Sequence, residues 1–242
     1  MALQSAGWDA VHAAVPAGSY RLAGRTISHA ALAGAALALA LAVLVPRQAW
    51  RIGRLVVTAV HEGGHAVAAV LVGRKVSAVH LRANTSGVTF HTGPAGRTRR
   101  VATAIAGYPA PGLVAVAGAF AMTHGQLGVW LLALLVLAVI NVVLWVRNLF
   151  GILLMAIGVA ALGWLIVNGT PGAAALVGMV VVWYLAIGGL RASAELWGDG
   201  SASDAVEVGR LLHLPAAICK VGFVVSTGAA TALVGALLLR SW

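Results

Sequence analysis

Seven predominantly apolar windows recur along this chain, each close to the length of about 20 residues that crosses a bilayer as a helix. They are His29–Val45, Gly53–Gly73, Val101–Met122, Leu127–Val146, Leu149–Val167, Gly172–Leu190 and Ala216–Leu239. Of the 242 residues only 9% are charged and 61% are hydrophobic, whereas a soluble domain carries about a quarter charged residues. The surplus apolar surface must face lipid. The expectation is an all-α polytopic membrane protein with about seven transmembrane helices. Residues 1–28 read as an N-terminal cytoplasmic segment without a removable leader. Residues 29–242 read as one integral-membrane domain in the lipid bilayer.

The formal charge of +10 would suggest nucleic acid in a soluble domain. Here the basic residues stand singly or in short clusters at the ends of apolar runs, as in membrane loops, so nucleic acid is not expected as a partner. The single cysteine, Cys219, excludes an intramolecular disulfide and a cysteine-rich zinc site.

Two stretches interrupt the helical pattern. Residues 75–94 place Val76, Val79, Leu81, Val88 and Phe90 around the turn formers Asn84, Ser86 and Gly87, which predicts a small β-hairpin between the second and third spans. Residues 191–214 hold four of the six acids, Glu195, Asp199, Asp204 and Glu207. Ser203-Asp204 there is a helix start followed by apolar residues at helical spacing. Threading seven spans puts twelve of the sixteen basic residues on one side. The positive-inside rule makes that side cytoplasmic, with the hairpin and the acidic segment at the same face.

Within the second window lies VTAVHEGGHAVAAV. His61 and His65 are four residues apart and therefore share one helix face, a spacing at which two imidazoles grip one metal ion. Glu62, turned by about 100°, reaches toward a water at that ion rather than the ion itself. This is the His-Glu-x-x-His pattern of zinc metalloproteases. A carboxylate in mid-membrane costs at least about 2.5 kcal/mol and is seldom kept without a partner or a task. The only basic residue in the same window, Arg54, lies about two helical turns away.

Catalytic zinc usually has three protein ligands and an open position. The third-ligand candidates are Asp204, Asp199, Glu195, Glu207, His213, His80 and His91. Asp204, at a helix start with the small Ala205 beside it, ranks first.

HEGGH in a membrane span, followed by SGVTFHTGP, AGYPAPGL, RNLFG and SDA, resembles the site-2 protease superfamily of intramembrane zinc metalloproteases, in its bacterial peptidase M50B-like branch. The resemblance runs from about Val57 to Leu214. It implies that His61, His65 and Asp204 bind one Zn2+ ion and that Glu62 is the base. It further implies cleavage of a membrane protein or peptide substrate by metal-activated water, in a bacterial plasma membrane with the active site toward the cytoplasm. The usual Asn…Pro…Leu-Asp-Gly stretch is replaced here by Ser203-Asp204-Ala205. Two other classes compete with this reading. One is a pseudo-protease that keeps the site as a membrane scaffold. The other is a transporter, which would place acids in several spans, whereas Glu62 is the only acid within a window.

The remaining signals read more simply. Tyr108-Pro109-Ala110-Pro111 breaks the third window, either to line a cavity or as a packing kink. Arg147-Asn148, between two windows, reads as a cytoplasmic anchor.

Overall fold

A computed structural model describes residues 19–94, 96–198 and 203–239. Most of the 1–28 segment, Asp199 and the last three residues lie outside the described residues. Nine α-helices account for most of the described chain. They are α1 (His29–Leu44), α2 (Arg47–Leu71), α3 (Arg97–Ile105), α4 (Pro109–Thr123), α5 (Leu127–Ile140), α6 (Leu149–Asn168), α7 (Pro171–Ala194), α8 (Asp204–Leu212) and α9 (Ala216–Leu239). Strands β1 (Ser19–Leu22) and β2 (Arg25–Ser28) form one antiparallel pair, and β3 (Lys75–Leu81) and β4 (Gly87–Thr92) another. The β1–β2 pair, turning through Ala23 and Gly24 at positive φ, falls in a segment for which no strand is expected.

The expected count of about seven spans is not reached among the described residues. Four helices there are long and apolar enough to cross a membrane, or up to six if each of two bent pairs is one span. The first two windows are α1 and α2, which meet at 106°. Pro46 stands between them in extended conformation, where it lacks the N–H that would continue α1. The third window is also a pair, α3 and α4, bent by 60° before Pro109. A chain that crosses six times ends on the side where it begins, so the partition of basic residues over seven crossings does not carry over.

Helix α7 is the centre of the bundle. It buries residues along its whole length and packs on α1, α4 and α9. Its glycines permit this: a Cβ at Gly178 would come within 2.6 Å of Met122, and one at Gly188 within 2.9 Å of Val57. Thr170 caps its start by accepting from the Ala173 amide at 3.3 Å, with Pro171 in the first turn. By contrast α6 buries only 17% of its apolar window, which leaves its Leu149, Leu153, Ile157 and Trp164 exposed as a lipid-facing flank.

The hairpin β3–β4 lies against α2. Strand β3 is held on its other edge as well. Val79 bridges Val146, and the Arg147 amide donates to the Val79 carbonyl at 3.2 Å. The Asn148 side chain completes the join, accepting from the Leu81 amide at 3.0 Å and donating to the Leu81 carbonyl at 2.6 Å. Asn148 thus acts as a surrogate backbone unit that ties the hairpin to the α5–α6 connection. The chain reaches it through a π-helical turn, Asn141–Trp145.

Candidate metal centre

The HEGGH helix turn places His61 and His65 one above the other, with ring centroids 4.7 Å apart and perpendicular. Their Nε2 atoms approach to 3.1 Å, and Oδ2 of Asp204 lies 3.1 Å from each. Asp204 comes from α8, a helix whose first turn carries Asp204 and Glu207 where the N-terminal dipole favours acids. Burial alone would raise its carboxyl pKa, but the two imidazole nitrogens hold it well below the usual carboxylate range.

Nδ1 of His65 lies 2.8 Å from the carbonyl oxygen of Thr103, which can only accept. Nδ1 therefore carries a proton, and Nε2 faces the carboxylate of Asp204 at the same convergence point. Atoms so close together share a cation, either a proton or a metal ion. Ligands of a tetrahedral zinc, about 2.0–2.1 Å from the metal, stand about 3.3 Å from one another. A triangle with sides of 3.1 Å fits that requirement and leaves a fourth position open. The donor set, two imidazoles and one carboxylate, suits zinc.

Two glycines make room for this arrangement. A Cβ at Gly107, in the break between α3 and α4, would stand 2.4 Å from Nε2 of His65 and 2.6 Å from Cε1 of His61. One at Gly64 would stand 2.5 Å from Cβ of Ala110 and 2.8 Å from the Ala106 carbonyl. The broken third window is therefore seated directly on the two histidines. Tyr108 in the same break packs its ring 4.6 Å from that of His61 and 4.9 Å from that of Phe223.

Glu62 is buried, 5% exposed, and its partners come from the hairpin. Thr89 donates to Oε2 at 2.6 Å. The backbone of Gly87 lies so near that a Cβ there would come within 2.5 Å of Oε1. One helical turn earlier, Thr58 donates to the Thr85 carbonyl at 2.9 Å. That pins the hairpin turn, in which Thr85 takes the left-handed conformation (φ +68°) unusual for a β-branched residue.

Of the other candidate ligands, none joins the two histidines among the described residues. Glu195 is taken by Arg54 at 3.0 Å, by Arg191 at 3.1 Å and by the Trp50 indole at 2.8 Å. Glu207 bonds Arg100 and Arg210. His80 packs edge-on against Phe90, and His213 is the left-handed C-cap of α8. His91 bonds the Thr89 carbonyl through Nδ1 at 3.1 Å. Asp199 lies outside the described residues.

Thr89, Thr103 and Gly107 have no role in the reading of the sequence, and Gly87 enters it only as a turn former, although SGVTFHTGP and AGYPAPGL contain three of these four. Asn148, read as part of an anchor, instead braces the hairpin.

A cavity of about 1090 Å³ opens onto His61, Glu62, His65 and Asp204, and is also lined by Arg54, Arg74, His91, Arg100 and Tyr108. Tyr108 and Thr103 bring the α3–α4 region into that lining, so the break borders a cavity beside the histidines.

No curated protein and no solved structure matches the chain. A family model described as peptidase M50B-like matches residues 34–234, a span that contains HEGGH, the hairpin and Asp204. Long apolar helices and this match identify an integral membrane protein of a peptidase family. The chain belongs to the peptidase M50B-like family of site-2 proteases.

Proposed function

We propose that the chain is an intramembrane zinc endopeptidase that cleaves a membrane-embedded or membrane-proximal peptide bond. The observation that carries this reading is the convergence of His61, His65 and Asp204 at 3.1 Å from one another, with Glu62 lining the same cavity. His61, His65 and Asp204 would hold the ion. Zinc, when bound, supplies a Lewis acid that makes water nucleophilic near neutral pH and polarises a carbonyl.

The chain's own groups account for the remaining work. Glu62 takes a proton from the attacking water and returns it to the leaving amine, as base and then acid. Thr89 holds Oε2, while Oε1 accepts no hydrogen bond from the described residues and is the oxygen available for that proton. A peptide must be extended before its carbonyl is reachable. β3 is paired on both sides, whereas among the described residues β4 has no second partner, so its free edge offers a strand for an extended substrate to pair with.

Arg74 and Arg100 line the cavity, and Lys75 and Arg82 in the hairpin region and Arg97 and Arg99 on α3 are their neighbours in sequence. This favours an active site toward the cytoplasmic face of a bacterial plasma membrane. The experiment is cleavage of a reconstituted membrane substrate by the wild-type chain and by Glu62→Gln, with zinc content measured on both. Zinc retained and cleavage lost in Glu62→Gln is the expected result. Undiminished cleavage would remove the mechanism, and a zinc-loaded wild type that cleaves no substrate would favour the scaffold reading.

A further inference from the structure

The cavity onto which His61, His65 and Asp204 open also contains a cation with no counter-ion among the described residues. Arg74, at the start of the hairpin, lines it beside His91 and Arg100. Its Nε is sealed from solvent and makes no hydrogen bond, and no carboxylate pairs with its guanidinium among the described residues. Glu207, which also lines the cavity, is already shared by Arg100 at 2.6 Å and Arg210 at 2.8 Å.

Burial, and then the nearby charge of Arg100, both disfavour the charged form of Arg74. An arginine does not escape by losing its proton, so what relieves it is an anion. Burial first, and then the charges of Arg74 and Arg100, lower the pKa of His91, against the backbone bond to Thr89, which raises it.

The position of this cation relative to Glu62 is set by the hairpin register. Glu62 packs at Gly87 and Thr89. Arg74 immediately precedes Lys75, which pairs with Thr92. Arg74 itself stands beside Gly93, where an added Cβ would come within 3.8 Å of its Cα, and from Thr89 to Gly93 is four residues of extended chain, about 13 Å. A peptide lying along β4 with its scissile bond at Glu62 therefore has a residue about four positions away level with Arg74, across β4 from it and over the cavity that Arg74 lines.

We propose that Arg74, supported by Arg100, forms a subsite for an acidic side chain of the peptide substrate, an aspartate or glutamate about four residues from the scissile bond. This rests on the endopeptidase reading and adds to it a substrate class. The shared chemistry of carboxylate and lipid phosphate is separated by the test below.

The test uses the full chain in phosphatidylcholine nanodiscs with a membrane-spanning synthetic peptide whose cut site is mapped by mass spectrometry. Aspartate or its neutral isostere asparagine is scanned through about six residues on either side of the cut, bracketing the subsite spacing. Binding is read on Glu62→Gln protein, so that cleavage does not deplete the peptide. The expected result is a preference of about tenfold for aspartate at one position near the fourth residue, equivalent to about 1.4 kcal/mol. That preference falls to less than about twofold when Arg74→Gln is added and survives in large part with Arg74→Lys. Equal binding at every position, or a preference untouched by Arg74→Gln, overturns the subsite. Loss of the preference when phosphatidylglycerol is added to the nanodiscs assigns the cation to lipid headgroups and also overturns it. Failure of the endopeptidase reading looks different: the wild-type chain, loaded with zinc, cleaves no peptide while the binding preference remains.

Discussion

The hydroxyl of Thr89 stands 2.6 Å from Oε2 of Glu62 and 3.2 Å from the same residue's carbonyl oxygen. A strand residue from the hairpin thus holds the carboxylate of the HEGGH helix at both its side chain and its backbone. The hairpin and the helix cannot shift against each other without releasing the group proposed to move the proton.

Thr89→Val keeps the shape of the side chain and removes the donor. A hydrogen bond to a charged group contributes about 1.5–3 kcal/mol, so a loss of about tenfold or more in kcat is expected, with zinc content unchanged. Thr89→Ser restores most of the rate, since the hydroxyl returns. A purely structural role would instead lower zinc occupancy and thermal stability together, and Ser would rescue neither preferentially. Rate, metal content and melting temperature measured on the three proteins decide the matter.

Removing Asp204 takes one of three converging ligands. Asp204→Ala leaves His61 and His65 as a two-ligand site, for which zinc affinity falls by well over about 100-fold. Metal analysis after dialysis against a mild chelator should find zinc in the wild type and little in the variant. Retention of full zinc in Asp204→Ala would eliminate the aspartate as a ligand and return the third position to another group.

What the sequence makes legible here follows from the range of the interactions. His61 and His65 are paired by helix periodicity alone, a relation across four residues. The turn at Asn84–Gly87 is likewise local, and strands flank it at Lys75–Leu81 and Gly87–Thr92. The approach of Asp204 spans 139 residues, and composition and spacing can only rank it among other acids; the resemblance to a known family singles it out. Thr103 and Gly107 act through a carbonyl and through an absent side chain, neither of which leaves a chemical signature in sequence. The span count departs from expectation because hydropathy does not register direction. His29–Val45 and Gly53–Gly73 each pass as apolar windows, yet their helices meet at 106° across Pro46.

Gly107→Ala tests the seating of the α3–α4 break on the histidines. The added methyl would lie 2.4 Å from Nε2 of His65 and 2.6 Å from Cε1 of His61, so a ligand ring or the break must move. Overpacking of this kind costs about 1–3 kcal/mol, and here it falls on the atoms that would hold the metal. The expected outcome is a folded protein with most of its zinc and cleavage lost. Gly64→Ala, whose methyl meets Ala110 and Ala106 rather than a histidine, should lower the melting temperature more than it lowers zinc per folded chain. Equal zinc loss in both would mean that helix separation, not ligand displacement, governs the site.

Acid should loosen α8 through Glu207. Burial raises the pKa of this carboxyl, but Arg210 and Arg100 lower it by more, so it titrates below the ordinary glutamate range in the folded chain. A depressed folded pKa means that the stabilisation is fully present above the unfolded value of about 4.3 and is lost as pH falls through the folded value. The Glu207 side chain is 38% exposed, so the contribution is about 0.5–1 kcal/mol after solvent screening. Its location makes it matter, because Arg100 ties α3 to the helix that carries Asp204, and Arg97 on α3 also donates to the Leu211 carbonyl. Hydrogen exchange of α8, corrected for the intrinsic pH dependence of exchange, should rise as pH is lowered from about 5 toward 3. In Glu207→Gln the exchange should already be raised at neutral pH and respond less to acid. Identical pH profiles for the two proteins would show that Glu207 does not hold α8 in place, and would leave the position of Asp204 to the packing of Ala205 and Val208 against Leu196 and Phe223.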